Sequence, residues 1–270
     1  MMDARGASVP LSGSASDTAQ SSDPAQNEVS PDKPSIAVMT SLPLYWAIDA
    51  DLAALASGNA VPPWPRVFLE QRYTLVPVDT LSPIPALSPG ESDTDPLAGV
   101  EQLAIVQPRG LSPADNVALD RWVRGGGRLL LVLDPALTGH YPLPLGDPRL
   151  PSYTALIPPV VARWGLEIRV DERAGAPSRG PGLPDGQELL VRMAGEIHAI
   201  EPGAGECAAS VSAPAASGPM ASGPMVQCAI GAGRVTLVAD AALFEHRELA
   251  GATGQRLRAL MAYAFDEAAS

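Results

Sequence analysis

Residues 103–134 read LAIVQPRGLSPADNVALDRWVRGGGRLLLVLD, and the fold turns on this stretch. Leu103-Ala104-Ile105-Val106 is a short continuous apolar run, which predicts a strand buried on both faces. Ser112-Pro113-Ala114-Asp115 is a helix start, with Ser as N-cap, Pro at the first helical position and an acid three residues on. The helix is expected to reach Arg124 and to present Ala114, Val117, Ala118 and Trp122 on one face. Gly125-Gly126-Gly127 ends it, and Arg128 to Leu133 forms a second apolar strand. Strand, helix and strand of this size make a parallel crossover.

The same reading extends in both directions. Ile36 to Met39 predicts a buried strand ending in Thr40-Ser41-Leu42-Pro43. Short helices are expected over Asp49–Ser57 and Pro65–Gln71, with a strand over Tyr73–Val78 and a loop from Leu81 to Pro96. Downstream, Tyr153–Trp164 reads as a helix interrupted at Pro158-Pro159, and Leu166–Val170 as a strand. Residues 172–186 read as loop, and Glu188–Met193 and Glu196–Ile200 as a hairpin around Ala194-Gly195. Val226–Ile230 and Arg234–Ala239 read as strands paired across Gly231-Ala232-Gly233. A helix from about Thr253 to Asp266 closes the chain. The expectation is an α/β fold in three layers, an open, mostly parallel sheet with late antiparallel hairpin strands. Residues 1–33 are poor in large apolar side chains and are expected to be a disordered tail. Residues 34–268 are expected to be one domain, with 202–225 a low-complexity loop carrying the repeat Ala216-Ser217-Gly218-Pro219-Met220, Ala221-Ser222-Gly223-Pro224-Met225.

The 270 residues are 46% apolar, enough for a large core, and carry a net charge of −12. A chain this acidic lacks the basic face that phosphate binding needs, so no nucleic-acid partner is expected. Lys33 is the only lysine among eighteen basic residues and lies in the tail. The domain therefore has no lysine for a Schiff base or a Walker A loop. Cys207 and Cys228 are too few for a zinc site or a disulfide framework; one bridge between them is allowed but not demanded. No apolar run approaches the ~18–20 residues of a membrane helix. No secretory signal pattern opens the chain, so the expectation is cytoplasmic, with no direct membrane insertion.

Chemistry-bearing groups gather at predicted strand ends. Asp134 ends one strand and Asp240 another, and ligands in open α/β sheets bind outside the carboxyl ends of strands. Thr40, Ser41, Tyr45, Asp134, Thr138 and Asp240 form the candidate binding rim. The plainer reading of the two acids, and the preferred one, is capping of the following turns. Two carboxylates without a third ligand define no metal site. Tyr45-Trp46 is suited to stacking a sugar or an aromatic ligand; the preferred reading is a packed aromatic pair closing the core edge. Gly125-Gly126-Gly127 follows a helix and precedes a strand, the reverse of a phosphate loop. Asp134 superficially resembles the nucleophile of haloacid-dehalogenase-type phosphatases, but their second Asp falls at Ala136 and their lysine is missing. No Gly-x-Ser-x-Gly elbow occurs. His140 and His198 stand alone. No cofactor and no catalytic residue is assigned.

Leu119 to Pro135, as helix, Gly-Gly, strand, Asp, and Gly231 to Asp240, as Gly-x-Gly-Arg-Val, strand, Asp, resemble the uncharacterised ABC-type transport system domain. That group is akin to gliding-motility auxiliary proteins and to a domain of an intraflagellar-transport subunit. The resemblance implies a flavodoxin-like, class I glutamine-amidotransferase-like fold that does no amidotransfer. His246-Arg247-Glu248 matches that superfamily's His-x-Glu spacing, yet the Gly-x-Cys-x-Gly elbow of its nucleophile is missing. The implied function is a non-catalytic binding or scaffold domain, an accessory of an ABC-type transport system with transporter subunits or another protein as partner. The alternative is a hydrolase-type enzyme using Asp134 and Asp240, with His246 assisting.

Overall fold

The computed structural model describes residues 33–170, 178–200, 206–209 and 222–266. The expected tail, apart from Lys33, and most of the 202–225 loop lie outside the described residues.

β1 (Ser35–Thr40) leads through α1 (Leu52–Ala56) and α2 (Trp64–Leu69) to β2 (Thr74–Pro77). β3 (Gln102–Val106), α3 (Pro113–Arg124) and β4 (Arg128–Val132) form the expected crossover. α4 (Pro159–Arg163) and β5 (Leu166–Val170) follow, then β6 (Ser178–Gly182), β7 (Glu188–Val191) and β8 (Gly195–Ala199). β9 (Glu206–Ala209), β10 (Ser222–Gly223), β11 (Met225–Ile230) and β12 (Gly233–Val238) complete the strands. The last helices are α5 (Ala242–Glu245), α6 (Arg247–Ala250) and α7 (Gln255–Phe265).

Among the described residues seven strands form the central sheet, in the order β2-β1-β3-β4-β12-β11-β9. The first five are parallel, and β11 and β9 join antiparallel. The sheet is therefore mostly parallel with a late hairpin, as expected.

Alternation along the central strands builds two cores. Leu130 and Val132 of β4 face one cluster, with α2, α7 and β7; Leu129, Leu131 and Leu133 face the other, with α3, α4 and Trp164. Leu129 to Leu133 are fully buried, and each buried leucine is worth ~1.5–3 kcal/mol over an exposed one. That two-sided burial explains why β4 reads as an unbroken apolar run.

α3 starts on the expected capping box, Ser112 accepting from Asp115 N while Asp115 accepts from Ser112 N. Its core face differs from the expectation. Asn116, Leu119 and Val123 are buried, whereas Val117 is 60% exposed.

Four other expectations need correction. The Tyr153–Trp164 helix is confined to α4. Its first half is held out of a helix, because Ala155 N donates to Asp134 O and Tyr153 O accepts from Leu137 N. Part of the expected 172–186 loop is β6, paired with β7. Glu188–Ile200 is not a hairpin: β7 pairs with β6, and β8 pairs with β5 and β10 in a separate three-stranded sheet. The reason is burial. Leu189 and Val191 belong to one core and Ile197 to the other, so the chain crosses between faces at residues 192–194. Residues 202–225, read as loop, include β9 and β10. The β9–β11 register sets Cys207 opposite Cys228, and Cys228 is buried and disulfide-bonded.

Gly233 opens β12 against the end of α3. A Cβ there would lie 1.9 Å from Val123 O and 2.5 Å from Gly127 O. Both obstacles are backbone, so neither swings aside. Gly233→Ala is expected to lower unfolding free energy by ~2–3 kcal/mol, read by chemical denaturation, whereas Gly90→Ala, with open space around it, is limited to the cost of its positive φ.

Candidate functional site

Parallel strands bring their carboxyl ends to one edge. Val132 of β4 pairs with Val238 of β12, so Asp134 and Asp240, two residues on from each, sit side by side. Their side chains are buried, 0% and 2% exposed. Placing them at one edge meets the condition that a site built on both acids requires.

Every oxygen of the two carboxyls is taken by backbone. Asp134 Oδ1 accepts from Ala136 N at 2.7 Å and Oδ2 from Ala241 N at 2.7 Å. Asp240 Oδ1 accepts from Ala242 N at 2.8 Å and Oδ2 from Arg192 N at 2.6 Å. Each acid thus caps its own following turn and ties in a second segment. Asp134 reaches across to the start of the β12–α5 turn, and Asp240 holds the β7–β8 crossing.

Burial pushes the Asp134 carboxyl up to about 6, against the pull of the two amides. Burial, and next the charge of Asp134, pushes Asp240 up to about 8. Two like charges in one buried pocket disfavour joint ionisation.

Gln107 is the hub beside them and carried no recognised sequence signal. It is fully buried with φ +47°, an uncommon left-handed backbone for a glutamine. Its Oε1 accepts from Asp134 N, and its Nε2 donates to Asp134 O and Ser152 O. Its carbonyl accepts from Ser41 N and Ser41 Oγ.

A second buried-side cluster hangs on Glu245, also unassigned from sequence. Glu245 accepts from Thr138 N at 3.1 Å, Gly139 N at 2.9 Å and the Tyr141 hydroxyl at 2.5 Å. A Cβ at Gly139 would lie 2.5 Å from Glu245 Oε1, so glycine permits this approach. Burial, and then the hydrogen bond to Glu245, drive the Tyr141 hydroxyl far above its ordinary range, keeping it a donor.

The rim residues divide. Ser41, Asp134 and Asp240 are buried in the network. Thr40 Oγ1 accepts from Leu42 N and shapes the turn after β1. Tyr45 stands on the next loop, under the Arg66 guanidinium at 4.0 Å from its ring centroid. Trp46, expected to be packed, is 51% exposed with Tyr45 edge-on at 4.8 Å. Thr138 Oγ1 lies 2.8 Å from His246 Nε2. His246 Nδ1 is 3.6 Å from Glu248 Oε1, beyond hydrogen-bond length. Burial, then Arg192, lowers the His246 pKa. The Thr138 hydroxyl also sits 3.5 Å from Glu245 Oε2, and a carboxylate there opposes formation of an alkoxide.

Two clefts flank the loop after β1. One of about 260 Å³ is lined by Asp49, Trp64, His140, Tyr141 and Glu245. The other, of about 500 Å³, is lined by Trp46, Leu55 and Arg149; Leu42, Pro43, Ala47 and Ile48 serve both. Among the described residues no group of three or more His, Cys, Asp or Glu side chains is arranged to hold a metal ion. No helix among them is long and apolar enough to cross a membrane.

No protein-family model and no curated protein matches the chain. Solved structures do. An exo-β-1,4-mannosidase from Opitutaceae bacterium strain TAV5 aligns at 17% identity and TM-score 0.43, over 86% of this chain and 36% of the mannosidase. A β-galactosidase from Bacillus circulans sp. alkalophilus aligns at 12% and 0.44, over 86% and 30%. A ThuA-like protein from Parabacteroides merdae aligns at 11% and 0.33, over 88% and 92%. The chain spans about a third of the length of the two glycosidases.

The sign of the pH dependence follows from the raised carboxyls. A carboxyl whose folded pKa exceeds its unfolded value, ~3.9 for Asp, stabilises the fold fully below that value. The contribution is lost as pH rises through the folded pKa. Thermal melting temperature is therefore expected to fall between pH 5 and pH 9, through the values of about 6 and about 8. Asp240→Asn is expected to remove the upper part of that fall, at some cost in stability at acid pH because its amide faces two backbone donors. Gln107→Ala is expected to cost ~2–4 kcal/mol by denaturant unfolding, since it strands buried groups of Asp134 and Ser152.

Proposed function

We propose that the chain is a non-catalytic binding domain, an accessory of an ABC-type transport system, and that its binding surface is the crevice at the carboxyl edge of the sheet. The observation that carries this reading is the use of all four Asp134 and Asp240 oxygens on backbone amides. Groups committed in that way position loops, and at 0% and 2% exposure they present no open face to a substrate. The order of the five parallel strands, β2-β1-β3-β4-β12, supports a flavodoxin-like, class I glutamine-amidotransferase-like arrangement. In that arrangement a ligand meets the crevice beside β1, where the strand order reverses. The transport setting rests on the resemblance of the 119–135 and 231–240 segments.

A hydrolase-type reading centred on Asp134 and Asp240 draws support from their shared edge and raised pKa values, since perturbed acids cluster at reaction sites. Their enclosure by backbone donors favours the binding reading over it.

In-cell crosslinking followed by capture of the full chain is expected to recover an ATPase or permease subunit. Capture that returns no membrane or transporter subunit contradicts the transport setting. Hydrolysis that is abolished by Asp134→Asn, with the fold retained, would establish the enzymatic reading in its place.

A further inference from the structure

We propose that the 500 Å³ cleft beside Trp46 is a subsite for a small neutral sugar, with the Trp46 indole as its stacking platform. The inference rests on the binding reading and names the ligand class of the same crevice.

The first support is where the aromatics stand. Aromatic residues are only 4% of the chain, yet Tyr45 and Trp46 stand together on the loop after β1, and Trp64 and Tyr141 line the neighbouring cleft. Trp46 is 51% exposed, and it is braced. Tyr45 meets it edge-on, with rings at 82°. The Arg66 guanidinium lies 4.0 Å from the Tyr45 ring centroid and is fixed by Glu70 at 2.7 Å and by the Tyr45 carbonyl. A large ring held in place while its surface stays open loses little freedom on binding.

The second support is charge. Among the described residues Arg149 is the one cation lining this cleft, and its charge is already paired. Its Nε and NH2 donate to the two oxygens of Asp147 at 3.0 and 2.8 Å, and NH1 donates to Ile48 O. A carboxylate or phosphate ligand thus finds no unpaired cation. What remains is an apolar wall of Leu42, Pro43, Ala47, Ile48 and Leu55, the Trp46 side chain, and a guanidinium whose charge Asp147 balances. A pyranose matches that combination. Its C–H face suits the ring and wall, and its equatorial hydroxyls suit the Arg149 N–H groups left over after three of the five are used. The cleft volume lies within the ~300–1,000 Å³ of small-molecule sites.

The third support is position. The cleft is lined by the loop that leaves the carboxyl end of β1, the edge at which open α/β sheets receive ligands.

Saturation-transfer NMR on the full chain tests this, with methyl β-glucoside, methyl β-galactoside and methyl α-mannoside as probes and benzoate and tryptamine as aromatic controls. Transfer to ring protons on one face of at least one sugar is expected. Trp46→Ala should abolish it and Trp46→Phe should retain part of it, both with cooperative unfolding retained because the indole is half exposed. Transfer to no sugar, transfer unaltered in Trp46→Ala, or transfer to the aromatic controls alone overturns the proposal. Sugar binding without capture of a transporter subunit upholds the subsite and rejects the transport setting; capture without sugar binding does the reverse.

Discussion

Asp134 and Asp240 end two hydrogen-bonded parallel strands inside the protein, and the loops of the carboxyl edge hang on their oxygens. Removing two carboxyls from water is costly unless their lone pairs are satisfied. Here four backbone amides satisfy them, from Ala136, Arg192, Ala241 and Ala242. The amides come from three separate stretches of chain. Satisfying the acids therefore fixes the turn after β4, the entry to α5 and the crossing from β7 to β8 at once. Gln107 extends the same lattice to β1 and β3 through Ser41.

That lattice gives the crevice its floor. With the strand ends tied together, the loop after β1 can present Trp46 outward while Tyr45 packs against the core. Glu245 does the same for residues 138–141, gathering two backbone amides and the Tyr141 hydroxyl. The carboxyl edge is thus built from acids turned inward to backbone, while aromatic surface and paired charge face the clefts.

Local signals made the central fold legible. The Ser112 capping box, the glycine stop at 125–127 and the all-apolar β4 each carry their structural cause within a few residues. The Gly231–Gly233 hairpin is of the same kind. Signals failed where the cause lay far off. Glu188–Ile200 has the alternation of a hairpin, but its apolar residues are divided between two cores. Tyr153 to Ile157 has helical composition, yet Asp134 O and Leu137 N recruit its backbone into an irregular path. Asp134 and Asp240 were visible as strand-end acids, and turn capping was the preferred role. Gln107, Tyr141 and Glu245 were not visible, because their partners lie 27 to 107 positions away in sequence. Nothing in a glutamine announces a left-handed backbone.

The central claim is that the strand-end acids are buried pins on which the loops of the carboxyl edge hang. Carbon-13 NMR titration of the Asp134 and Asp240 carboxyls, read together with the amide shifts of Ala241, Ala242 and Arg192, tests it most directly. The account predicts midpoints near the elevated values of about 6 and about 8, with those amides shifting in step with the carboxyls they serve. Two carboxyls titrating in the ordinary range, with the amides unmoved, would contradict it.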